Sequence, residues 1–257
     1  MSEYQYYEFL AIDRPLTVEE TKVLRALSTR AQITPVSFTN EYHWGDFKGN
    51  PDKLMERYFD AHVYVANWMT AIFKVRGPFE VLAKGTVEAM VESEALDFKA
   101  TKTHWIITCH LEESENYERF GREDGRGWMT RLAPVRDELL RGDLRSLYIG
   151  WLADVSREMM DDDEMEPISV NGLGQLTSAQ QALADFLEVD ENLLAGSGMG
   201  SPAAQDEEVS QKEMDAWIHD LPVDEVKMVL KQLFSGQGQQ GERDIKSRFA
   251  AWRRGLA

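Results

Sequence analysis

Apolar and polar positions divide the chain into a strand-rich first part, a helical middle and a short end of different composition. Residues 6–13 read Tyr-Tyr-Glu-Phe-Leu-Ala-Ile-Asp, an aromatic and aliphatic run that suits a strand. Bulk falls on both faces, with Tyr7, Phe9 and Ala11 on one and Leu10 and Ile12 on the other. That pattern predicts a central strand covered on both sides. After Arg14-Pro15, Thr17 and Glu20 have capping-box spacing, and Val23, Leu24 and Leu27 form the stripe of a helix running to about Arg30. Residues 32–38 predict a second strand, at an edge or bulged, because Pro35 has no N–H for a ladder. Asn50 and Pro51 have the chemistry of an N-cap and a first helical position, and Leu54, Met55, Tyr58 and Phe59 follow as an inward stripe. Residues 62–66 and 71–75 read as strands, Gly77-Pro78 as the opening of a helix to about Ala83, and 95–98 with 104–111 as a closing strand pair.

This alternation over residues 1–111 predicts an α+β domain with a mixed sheet, for which ferredoxin-like elements are the nearest simple arrangement. Residues 112–126 are polar and predict an exposed loop. Residues 127–195 predict a helical extension packed on the sheet. It has a break near Pro134, a long helix after Asp143 with Leu147, Trp151 and Val155 inward, a Thr177/Gln180 capping box, and a short turn from Asp190 to Gly196. The small-residue run beginning at Gly196 predicts a flexible linker over 196–209. A helical hairpin bent at Pro222 is expected over 210–235, a Gly/Gln linker over 236–241, and a basic amphipathic helix over 242–257. In that last helix Ile245, Phe249 and Trp252 lie on one side, and Lys246, Arg248 and Arg253 elsewhere; these six are the partner-binding candidates, expected either to dock into a groove of another protein or to fold back on the acidic body.

Composition narrows the function classes. The 257 residues carry 45 acidic against 28 basic side chains, a net charge of −17, which opposes binding to polyphosphates and to anionic membranes. Excess negative charge is most simply a solubility device, and its functional reading is a docking face for a basic partner. The single cysteine, Cys109, sits in an apolar run and reads as a buried thiol. There is no secretory signal pattern and no apolar run near the length of a membrane span, so a cytoplasmic location is expected.

The densest chemistry lies in 40–51, Asn-Glu-Tyr-His-Trp-Gly-Asp-Phe-Lys-Gly-Asn-Pro. His43 and Asp46 are candidates for a metal or acid–base site, but no His-Glu-x-x-His or Cys-x-x-Cys spacing accompanies them. The structural alternative is a turn anchored by buried Tyr42 and Trp44, with Gly45 and Gly49 at positive φ and Asp46 closing an Asx-type bond; it is favoured. His104 and His110, six apart in one strand, lie too far apart to share an ion. The acidic run 161–166 lacks the alternating ligands and glycine of a calcium loop and reads as solvated. Neither Gly172-Leu-Gly174 nor the run from Gly196 has the flanking strand, helix or lysine of a phosphate loop. Nothing in the residues implies a cofactor.

The segments Tyr7–Thr17, Asn40–Gly49, Leu54–Asp60 and Tyr64–Trp68, with a weaker echo at Leu147–Leu152, resemble an uncharacterised family of bacterial proteins over roughly residues 4–195. The resemblance implies no activity. It implies neighbours of the SWIM zinc-finger type and a long, basic helical C-terminal region, whereas only a short basic helix follows here, through loss of the tail or because the chain is a fragment. The function expected from these readings is a non-enzymatic accessory or adaptor protein with another protein, one with a basic surface, as partner. A metal-dependent hydrolase or nuclease using His43 and Asp46 is the first alternative, and a nucleic-acid-associated protein using the C-terminal helix the second. Oligomeric state stays open.

Overall fold

The computed structural model describes residues 3–90, 93–112, 114–122, 124–157, 166–203 and 211–234, together with 245, 248, 249 and 252. The chain begins β1 (Gln5–Leu10), α1 (Val18–Leu27), β2 (Gln32–Ile33), β3 (Ser37–Tyr42), α2 (Pro51–Arg57), β4 (Ala61–Ala66), β5 (Thr70–Pro78), α3 (Lys84–Met90), β6 (Leu96–Ala100) and β7 (His104–Leu111). Helices α4 (Tyr117–Arg122), α5 (Trp128–Leu132), α6 (Pro134–Leu140), α7 (Arg145–Ser156), α8 (Ser178–Leu187) and α9 (Glu191–Gly200) follow, then α10 (Gln211–Asp220) and α11 (Val223–Phe234).

The class is α+β with a helical extension. The seven strands form one sheet in the order β2-β3-β1-β4-β5-β7-β6, and every neighbouring pair is antiparallel. The expected mixed sheet is therefore corrected, and with it the ferredoxin-like arrangement. The cause lies at Pro35. Residues 32–38 are not one strand: the Thr34 N–H donates to the Ser37 carbonyl at 2.9 Å, which turns the chain back on itself. That reversal converts what would be a parallel crossover through α1 into an antiparallel β1–β3 pair.

Each face of the sheet has its own core. One face presents Val63, Val65, Phe73, Val75, Ile107 and Cys109 to the helical extension, whose Leu132, Leu139, Tyr148, Leu183 and Phe186 are buried against it. The other presents Tyr7, Phe9 and Phe38 to Leu24, Phe47, Leu54, Met55 and Phe59. β1 contributes to both cores, as its two-sided bulk predicts. Both capping boxes form, at Thr17/Glu20 and Thr177/Gln180, and Asn50 caps α2 with Pro51 in its first turn.

Other boundaries differ. β5 continues through Gly77-Pro78, a 3-10 turn covers Phe79–Val81, and the helix starts only at Lys84. The expected loop over 112–126 contains α4, held by buried Phe120. The turn after Asp190 and the start of the expected linker are one helix, α9, because Asp190 accepts from the Asn192 and Leu193 N–H groups. Its small residues let it lie directly on the 3-10 turn Leu173–Gln175; a Cβ added at Gly198 would stand 3.1 Å from the Gly174 Cα. The two glycine runs pack together. Residues 204–209 and 236–241 of the expected linkers, and 161–165 of the acidic run, lie outside the described residues.

A buried ionic cluster joins the sheet to the helical extension. Asp60, just before β4, accepts from the Ile12 and Asp13 N–H groups at 2.7 and 2.9 Å and from the Arg76 Nη2 at 2.6 Å. Arg136 of α6 forks onto the Asp13 carboxylate at 3.0 and 2.8 Å and donates its Nε to the Arg76 carbonyl at 2.6 Å. Burial opposes the charge on Asp60, but Arg136, Arg76 and the two backbone N–H groups outweigh it and hold the carboxyl below its usual range. Removing one member leaves an uncompensated buried charge. Asp60→Asn and Arg136→Ala are each expected to lower unfolding stability at neutral pH by about 3–5 kcal/mol in urea titrations. A depressed carboxyl stabilises above its unfolded pKa and loses that contribution as pH falls through its folded pKa. The gap between wild type and Asp60→Asn should therefore narrow below about pH 4.

Candidate functional site

Two regions carried the sequence-derived candidates, and they fold differently. In the connector between β3 and α2, His43 is exposed and its ring lies 5.2 Å from that of Tyr4. The Asp46 Oδ1 accepts from the Gln5 Nε2 at 3.3 Å, so its partner is a strand residue and not the local backbone. Among the described residues no group of three or more His, Cys, Asp or Glu side chains converges as a metal site, at His43 or elsewhere.

The connector is anchored by a residue the sequence reading passed over. Trp44 is 73% exposed and Tyr42 only half-buried, whereas Phe47 is buried among the rings of Tyr7, Phe9, Phe38 and Tyr42. The expected plugs are corrected accordingly. Gly45 does take a positive φ of 81°, and that turn brings the chain back so that Phe47 reaches the core. Gly49 is not at positive φ; it is glycine because the Phe47 ring lies against its Cα, where a Cβ would collide. Beneath the connector, Gln5 accepts from the Tyr7 hydroxyl at 2.7 Å and the Tyr64 hydroxyl at 3.3 Å, and donates to the Gly45 carbonyl and Asp46. Burial pushes the Tyr7 phenol up to about 12. This network is satisfied and neutral at its centre.

The remaining titratable candidates are structural. His62 is buried, stacks on the Phe9 ring at 3.9 Å, and is pushed down to about 3 by burial. Burial also lowers His104 and His110, which stand at opposite ends of β7. Burial pushes the Cys109 thiol up to about 12, which removes the thiolate a nucleophile needs.

The C-terminal region departs furthest from the core. The Pro222 carbonyl accepts from the Glu225 N–H at 2.9 Å, turning α10 into α11. Among the described residues these two helices bury one side chain, Trp217. The Phe249 ring meets the Trp217 ring edge-on at 5.1 Å and stacks with Trp252 at 5.9 Å, while the Arg248 Nη1 reaches the Glu225 carboxylate at 2.7 Å. The tail's apolar side therefore meets Trp217 of α10. Ile245 is half-buried, and Lys246 and Arg253 lie outside the described residues.

What α10 and α11 leave exposed is more telling. Val223, Val226, Leu230 and Phe234 follow one another at i, i+3, i+7 and i+11, and Phe234 is 91% exposed. Met214 and Ile218 on α10 are exposed as well. Residues at that spacing share one side of a helix. Val226 and Leu230, apolar positions of the expected hairpin, face outward.

No family model, curated protein or solved structure matches this chain.

Phe47→Ala is expected to cost about 3–5 kcal/mol of unfolding stability, the range for emptying a buried aromatic site. His43→Ala and Asp46→Asn should each stay within about 0.5 kcal/mol of wild type, as surface changes do. Urea titration of the three variants checks this. A loss at His43→Ala matching that at Phe47→Ala would refute the assignment of Phe47 as the anchor.

Proposed function

We propose that this is an accessory or adaptor protein acting through protein–protein contacts, with the outward stripe of α11 as its docking surface. One observation carries the reading: α11 sets four large apolar side chains in a row toward solvent while, among the described residues, only Trp217 of α10 and α11 is buried. Amphipathic helices with anchors at this spacing dock into apolar grooves. Covering such side chains yields roughly 1.5–3 kcal/mol for each one fully buried. The net charge of −17 favours a different protein with a basic surface as the partner. A cytoplasmic setting belongs to the same reading, and no described helix is long and apolar enough to cross a membrane.

The alternatives have less support. A hydrolase using His43 and Asp46 has no third ligating side chain beside them among the described residues. A nucleic-acid role through the tail has to contend with Arg248, whose charge already faces Glu225.

The test uses the full chain and the double variant Val226→Asp/Leu230→Asp, whose positions are exposed, so that folding stays within about 0.5 kcal/mol of wild type. Affinity capture from the native host should retain a stoichiometric partner on the wild-type chain. Reconstitution with that partner, once purified, should show binding weakened roughly 100-fold or more by the double variant, as expected for two interface anchors. Equal affinity for both chains sinks the reading. Self-association of the wild-type chain that the variant abolishes would replace the second protein by a second copy.

A further inference from the structure

We infer that the cavity between the α10–α11 turn and the tail receives an arginine side chain, supplied by the protein that covers the α11 stripe. The cavity encloses about 320 Å³. That is near the lower end of ligand-site volumes and suits one side chain better than a cofactor. Its walls are the indoles of Trp217 and Trp252 with Leu221 and Pro222.

Among the described residues its charges are two carboxylates, Asp220 and Glu225, against one guanidinium, Arg248. Arg248 is committed to Glu225 at 2.7 Å, and Asp220 is exposed with no ion pair among the described residues. One carboxylate is left over. The cavity also stands at the C-terminal end of α10, where unpaired carbonyls add partial negative charge. The N-terminus of α11, which borders the cavity with partial positive charge, is offset by Asp224 and Glu225 in its first turn.

Apolar aromatic walls beside a single free carboxylate select among cations. A guanidinium is planar and weakly hydrated, lies against aromatic surfaces and forks onto a carboxylate. A lysine ammonium is compact and strongly hydrated, and gives up more on entering such a site. Arg248 already pairs with Glu225 through a single Nη1 contact.

The inference depends on the proposed docking role only for the source of the arginine, so the cavity is tested by itself. N-acetyl-arginine methylamide is titrated into the ¹⁵N-labelled full chain while the indole N–H resonances are followed, with the lysine and citrulline counterparts as controls. The arginine probe should shift Trp217 and Trp252 with a dissociation constant on the order of 1 mM, the strength of a single small contact. The citrulline probe, similar in shape and uncharged, should bind at least about 10-fold more weakly, and the lysine probe should fall between them. Asp220→Asn, on an exposed carboxylate, should weaken the arginine probe several-fold, and Trp252→Leu should abolish its effect on Trp217. Equal shifts from citrulline and arginine, stronger binding of lysine than arginine, an unchanged titration in Asp220→Asn, or no shift at all each overturn the proposal. The Val226→Asp/Leu230→Asp chain should titrate like wild type even though it loses the partner, which separates a failure here from a failure of the stripe.

Discussion

The carboxylate of Asp60 is the point on which the two halves of the protein depend. An isolated charge this deeply buried would cost several kcal/mol, and the cost is offset only when every partner is in place. The partners come from the chain after β1, from β5 and from α6, so the charge is satisfied only when three separate segments have met. Arg76 extends the cluster further, because its Nη1 also donates to the Met55 and Glu56 carbonyls at the end of α2. A cation at a helix C-terminus is favourable in itself. One guanidinium thus orients α2, which lies over one face of the sheet, while Arg136 orients α6, which lies over the other.

This coupling suits a sheet with two cores. Hydrophobic burial fixes how much area each face covers, but it is tolerant of sliding. Forked hydrogen bonds are not tolerant, and the Arg136–Asp13 pair sets the position of the helical extension on the sheet. Asp154 of α7 does the same at the other margin, accepting from the Ser93 hydroxyl at 2.5 Å and the Ala95 N–H at 2.7 Å, just before β6. Burial raises that carboxyl, while the hydrogen bonds hold it in place. The sheet's own margins are short: β2 has two residues and β6 five, which leaves little unpaired edge for another strand to join.

Local signals in the sequence translate into structure most directly. Thr17 with Glu20, Thr177 with Gln180, and Asn50 with Pro51 act within one helical turn, and each forms as read. The two-sided bulk of β1 is equally legible, because alternation is a local property. Strand direction was not, since it hinges on a reversal at Pro35 that breaks a run read as continuous. The connector's anchor was missed for a related reason. Trp44 and Tyr42 outrank Phe47 in size, but Gly45 turns the chain between them, and which aromatic points inward follows from that turn and not from size. The buried Arg136 left no local trace, because its partners lie 60 and 123 residues away. The glycines at 174 and 198 read as loop and linker because their role is to face each other.

The same logic explains why the C-terminal region draws attention. On α5, α7 and α8 the large apolar side chains are mostly buried in the body's core; on α11 the stripe is equally regular and is not. A pair of short helices with one buried tryptophan has little core of its own, and isolated helices of 10 and 12 residues are marginal in water. Packing of Phe249 on that tryptophan, with Trp252 stacked on Phe249, supplies part of what is missing. A partner of the kind proposed would supply more, because a ligand that binds only the folded form stabilises it in proportion to its saturation. The ionic cluster at Asp60 ties the body together from within, whereas the row on α11 is left exposed among the described residues.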